Sequence, residues 1–134
     1  LDHALLSQVG QRHGLRLKGG LATHQRRQLA DYIEGHLDQP INLAELAAQC
    51  NLSEYHFARM FRDSFGVPPH QYLLARRLAK AQQWLRGSDV ALGEVALACG
   101  FASASHFSNR FRQAVGATPG EYRLALRWQA SSHR

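Results

Sequence analysis

The chain repeats itself, and the repeat limits what it can fold into. Leu43, Glu45, Leu46, Ala47, Cys50 and Leu52 recur 49 positions on as Leu92, Glu94, Val95, Ala96, Cys99 and Phe101. Ser53, His56, Phe57, Phe61, Arg62, Gly66, Pro69 and Tyr72 recur 50 positions on as Ser103, His106, Phe107, Phe111, Arg112, Gly116, Pro119 and Tyr122. A constant period with a one-residue slip between two blocks marks two copies of one supersecondary unit, the slip falling in a turn.

Each copy reads as two helices joined by a tight turn. In the first, Asn42 caps a short Ala-rich helix from Leu43 to Cys50, with Glu45 placed as in a capping box. Asn51-Leu52 make the turn, Ser53 caps a second helix to about Phe65, and Gly66 ends it in the left-handed position. The small first helix and amphipathic second one define a helix-turn-helix. Phe57, Met60, Phe61 and Ser64 take one face of the second helix, and Tyr55, Arg59 and Arg62 the other. The second copy repeats this split, with Phe107 and Phe111 inward and Ser105, Asn109 and Arg112 outward. Both outward sets can hydrogen-bond base edges or phosphates.

The rest of the chain supports the copies. A helix from about Gln25 to Leu37 carries Leu29, Tyr32, Ile33 and Leu37 on one stripe and is ended by Asp38-Gln39-Pro40. Between the copies, Pro69 to about Trp84 or Arg86 is one longer helix of about 25 Å, with Leu73, Leu74, Leu78, Ala81 and Leu85 as its buried side. A rod of that length suits two recognition helices one DNA turn, about 34 Å, apart. Thr118-Pro119-Gly120-Glu121 forms a capping box opening a last helix from about Glu121 to Arg127, with a frayed end from Gln129. Ala91 stands where Asn42 caps the first copy, so this helix start is weaker unless Asp89 substitutes. The expected organisation is all-α, with about seven helices. Residues 1–20 form a tail or linker to a further N-terminal domain. Residues 21–127 form the domain, with a first lobe at 25–67, a linker helix at 69–86 and a second lobe at 88–127, and residues 128–134 are a C-terminal tail.

Charge points to the partner. Across 134 residues, 16 Lys and Arg face 10 Asp and Glu, a net charge of +6. No acidic residue lies between Asp63 and Asp89, where Arg76, Arg77, Lys80 and Arg86 fall. Arg110 and Arg112 are the only charged side chains between Glu94 and Glu121. Such clustering favours a polyanion over a merely solvated basic surface. Purely apolar runs fall far short of the ~20 residues that span a bilayer. No secretory leader is visible, and two cysteines make no disulfide framework, so a cytoplasmic setting is expected.

In these residues the chain resembles the DNA-binding domain of AraC/XylS-type transcription regulators. The likeness covers about residues 25–125 and is most specific in the second copy. There it runs through Ala96-Leu97-Ala98-Cys99-Gly100-Phe101, Ser105-His106-Phe107-Ser108-Asn109-Arg110-Phe111-Arg112, Gly116, Thr118-Pro119 and Glu121-Tyr122-Arg123. The resemblance implies a two-lobed domain that reads double-stranded DNA in successive major grooves. By position, Tyr55, Ala58 and Arg59 match base-facing residues of the first recognition helix, and Ala104, Ser105 and Asn109 those of the second. The two alanines offer at most contact with a thymine methyl, and Asn109 suits adenine better than guanine. Asn42, Ser53, His56, Arg62, Arg76, Ser103, His106 and Arg112 are expected on the DNA backbone. The family also implies an activator that contacts RNA polymerase and dimerises through a separate N-terminal domain.

Other readings of the same residues are plainer. Phe57, Phe61, Phe107, Phe111, Tyr72 and Tyr122 are core, and Cys50 and Cys99 are small buried hydrophobes at matching helix ends. With His56 and His106 the cysteines lack zinc-ligand spacing, so no metal or cofactor is expected. His56 and His106 contact phosphate or cap locally and could as easily be structural, and Arg77 serves as well to hold the two lobes together by hydrogen bonds. No paired carboxylates, phosphate loop or nucleophile-base arrangement suggests an enzyme. The rival is a helical module that binds an acidic protein through the same basic faces.

Overall fold

In the computed structural model residues 21–132 are described, and the tail expected at residues 1–20 lies outside them. The described residues form seven helices and no strand: α1 (Thr23–Gly35), α2 (Leu43–Gln49), α3 (Glu54–Phe65), α4 (Pro69–Gly87), α5 (Leu92–Ala98), α6 (Ala104–Val115) and α7 (Pro119–Ser132). None of these helices is long and apolar enough to cross a membrane.

The chain divides into two compact units. One holds the described residues up to His36 together with Pro40–Leu74, and the other holds Leu37–Gln39 and Ala75 onward. In the first, Leu29 and Ile33 of α1, Leu46 and Ala47 of α2, Phe57 and Phe61 of α3 and Leu73 of α4 form the core. In the second, Leu37, Leu78, Ala81, Leu85, Val95, Ala96, Cys99, Phe101, Phe107 and Phe111 do so. The copies pack alike. Phe61 meets Tyr72 edge-on at 5.4 Å and Phe111 meets Tyr122 edge-on at 5.4 Å, the favoured geometry for ring pairs.

Most helix boundaries follow from local chemistry. Asn42 Oδ1 accepts from Glu45 N at 3.1 Å, and Gly66 (φ 84°) and Gly116 (φ 92°) end α3 and α6 in the left-handed region. At α7 the capping box is reciprocal: Thr118 N donates to Glu121 Oε1 at 2.9 Å, and Glu121 N donates to Thr118 Oγ1 at 3.1 Å. Three expectations are corrected. First, α1 begins at Thr23 because the Gln25 carboxamide reaches back to Ala22 N at 3.0 Å, a capping interaction that shifts the start two residues earlier. Second, α1 ends at Gly35, so Leu37 is buried outside any helix, while Tyr32, at 39% exposure, stacks on His36 instead of entering the core. Third, α7 continues through Ser132 rather than fraying from Gln129, since no breaker follows its capping box. The start of α5 is the weaker one: Ala91 provides no side-chain cap, and Asp89 does not substitute, its carboxylate pairing with Arg127.

Arg77 Nε donates to Leu37 O and Arg77 Nη2 to Gln39 O, both at 3.0 Å, which ties α4 to the segment after α1. Gly100 packs against this tie with φ at 86°, and a Cβ there would collide with the Leu37 carbonyl and lie 2.7 Å from Arg77 Nε. Its equivalent in the first copy is Asn51, which adopts φ 60°. Burial also raises the Cys99 thiol to about 11, ahead of the opposing pull of Lys80.

Gly100→Ala should therefore cost about 2 kcal/mol or more in urea denaturation, combining left-handed strain with the collision. Gly116→Ala, where open space surrounds the added methyl, should cost about 1 kcal/mol, from strain alone. Equal losses would show that the Leu37–Arg77 contact is unimportant. A second expectation concerns pH. The backbone and side-chain hydrogen bonds from Thr118 hold the Glu121 carboxyl below its ordinary value of 4.5. A depressed carboxylate contributes stability that is present above that value and is lost as pH falls through the lower folded one. Glu121→Gln keeps the capping geometry. It should remove this acid-side component from the stability-pH profile while leaving the neutral-pH fold intact.

Candidate nucleic-acid interface

Helices α3 and α6 present the candidate site, and each is held by its own ends. Ser53 Oγ accepts from His56 N at 3.2 Å, and Ser103 Oγ from His106 N at 3.0 Å. These serines stop the helices where the hydrophobic pattern begins. Phe57 and Phe61, then Phe107 and Phe111, bury one face of each helix. The opposite face must then look outward.

The expected base-facing residues fall as follows. Tyr55 is 71% exposed, and Arg59 and Arg62 are exposed beside it, one face of α3. Ala58 is half-buried, at the edge of that face. On α6, Ala104, Ser105, Asn109 and Arg112 are all exposed. Among the described residues no side-chain hydrogen bond occupies Arg59, Ser105 or Asn109. Their donors and acceptors are available to a partner. Arg112 lies close enough to Glu121 to help lower the carboxyl pKa.

The expected backbone contacts are more mixed. Asn42, Ser53 and Ser103 already serve as helix caps, so their oxygens have a structural task before any phosphate arrives. His56 and His106 are exposed. The His56 ring also bonds, through Nδ1, to Ser53 Oγ at 2.8 Å and meets Tyr55 edge-on at 5.6 Å. Arg76 is half-buried on α4. The Ser53–His56 side-chain bond fits the local capping role open to His56. A Ser-x-x-His spacing at a helix start was its available signal. Among the described residues no cluster of three or more His, Cys, Asp or Glu side chains could hold a metal.

Two copies of a short helix, a tight turn and an outward polar helix place the chain among helix-turn-helix proteins. The helix-turn-helix domain family model matches residues 46–125. The chain belongs to the AraC-type branch of that family, the branch of AraC/XylS regulators. It is 40% identical over 77 residues to the right origin-binding protein of Escherichia coli, covering 58% of this chain and 27% of that one. It is 36% identical over 89 residues to the HTH-type transcriptional regulator GbdR of Pseudomonas aeruginosa, covering 65% and 24%. Its fold matches the DNA-binding domain of the global transcriptional factor AdpA, solved in complex with a target DNA. That match has a TM-score of 0.74 and 34% identity, and covers 78% of this chain and 94% of that one. The chain spans about a quarter of the length of these curated relatives.

Because each serine caps a recognition helix, Ser53→Ala and Ser103→Ala should each lower stability by about 1 kcal/mol in urea denaturation. Unchanged stability would mean that the hydroxyls serve only a bound partner.

Proposed function

We propose that this chain is the DNA-reading part of a transcription regulator, with α3 and α6 entering successive major grooves of double-stranded DNA. One observation carries the reading: two copies of the same unit each set an exposed hydrogen-bonding face opposite an aromatic core. Two such faces in one chain suit a polymer that repeats, and the net charge of +6 suits a polyanion. The likeness to the DNA-complexed AdpA domain supports the same conclusion.

In this reading Arg59 is the leading base contact, since a guanidinium can bond guanine O6 and N7 together. Tyr55, Ser105 and Asn109 add further base contacts, and Ala58 and Ala104 are limited to a thymine methyl. Arg62, Arg76, Arg112, His56 and His106 sit on phosphates, with the caps at Asn42, Ser53 and Ser103 alongside. The regulator acts in the cytoplasm, as an activator through RNA polymerase, and dimerises through a further domain; these assignments rest on family likeness. The domain works by binding rather than by catalysis.

Selection of bound duplexes from a random pool, repeated across salt concentrations, tests the reading. Two short preferred blocks about one helical turn (~34 Å) apart, with affinity falling log-linearly with salt, are expected. No enrichment with a flat salt response would replace DNA with an acidic protein as partner. Within the preferred site, Arg59→Ala should cost about 1–3 kcal/mol of binding and relax preference at one base pair. Arg112→Ala should weaken all sequences alike, and the reverse pattern would exchange the two assignments.

A further inference from the structure

The two recognition helices open with the same Ser-x-x-His spacing, yet their histidine rings are held differently. Ser53 Oγ accepts from His56 N at 3.2 Å and also lies 2.8 Å from His56 Nδ1. Ser103 Oγ accepts from His106 N at 3.0 Å, and among the described residues no hydrogen bond reaches the His106 ring. That ring meets Phe101 edge-on instead, at 5.7 Å. Phe101 stands where the first copy has Leu52, which offers no aromatic ring to hold an imidazole. In the first copy Tyr55, the counterpart of Ser105, meets the His56 ring edge-on at 5.6 Å.

A hydroxyl carries one proton and two lone pairs. Ser53 Oγ commits a lone pair to the His56 backbone N–H, which polarises its own O–H and makes it a better donor. That donor meets Nδ1, so the ring proton resides on Nε2. We propose that Ser53 is a positioning residue. It fixes His56 as the Nε2–H tautomer and leaves that donor facing away from the cap, toward a phosphate oxygen of bound DNA. The phosphate as target rests on the DNA reading proposed above. His106 lacks the constraint, exchanges between both tautomers and contributes less. A donor already oriented loses less freedom on binding than one that must be ordered. Two copies alike in sequence at this spacing therefore grip the DNA backbone unequally.

Long-range ¹H–¹⁵N spectra of the DNA-free 134-residue chain, recorded above the histidine titration, read the tautomers directly. His56 should show a single Nε2–H form and His106 a mixture. Ser53→Thr, which keeps a hydroxyl, should preserve the His56 signature, and Ser53→Ala should turn it into a mixture like that of His106. Ser53→Asp still caps the helix but only accepts, so it should move the ring proton to Nδ1. An Nδ1–H form in the unmutated chain would overturn the proposal, as would a His56 signal indifferent to Ser53→Ala and Ser53→Asp. On a selected duplex, His56→Ala should weaken binding of every sequence roughly tenfold, the loss of one charge-assisted hydrogen bond, and His106→Ala about twofold. Equal losses would refute the unequal grip. Failure of the unmutated chain to bind any duplex would overturn the DNA reading and the phosphate target with it, while the spectra still decide the role of Ser53.

Discussion

An edge-to-face ring pair recurs at the same place in both units, and the recognition helices depend on it. Phe61 against Tyr72 and Phe111 against Tyr122 join each recognition helix to the one that follows, at matching separations and inclinations of 72° and 70°. α3 and α6 are 12 residues each, a length at which an isolated helix is marginal in water. Their persistence comes from the buried face rather than from propensity. Phe57 and Phe61, or Phe107 and Phe111, supply most of that face. Burying each contributes roughly 1.5–3 kcal/mol, more than a cap or a surface charge pair.

The fold was legible where one residue type decides one local event. Asn42, Ser53, Gly66, Gly116 and the Thr118–Glu121 pair each fix a helix end through a bond or a backbone angle that few alternatives can supply. Phenylalanine spacing then fixed the inward faces of α3 and α6, and hence the exposure of Tyr55, Arg59, Ser105 and Asn109. What escaped the sequence depends on distant groups. Leu37 fits the α1 stripe, yet it lies beyond the helix end and is buried in the other unit's core. Asp89 stands where a cap is wanted, but Arg127, 38 positions away, takes its carboxylate. Neither periodicity nor propensity carries such information.

The copies have diverged at their turns. Asn51 and Gly100 hold the same left-handed backbone, and Asn is one of the few side chains that tolerates it. Glycine is required in the second copy for a further reason, since Leu37 O and Arg77 occupy the space a Cβ would need. One backbone shape therefore carries different constraints, set by what packs against it.

In each copy, the side chains that hold the recognition helix in place differ from those that face outward. Serine and glycine fix the ends and phenylalanines fix the seat, while Tyr55 and Arg59, or Ser105 and Asn109, have no place in the core. That division frees the outward positions to drift in evolution at little cost to folding. After an internal duplication, either copy could then acquire new preferences while its sibling kept the old ones. The divergence of Tyr55 and Arg59 from Ser105 and Asn109, beside unchanged serines, phenylalanines and glycines, is what such a history would leave behind.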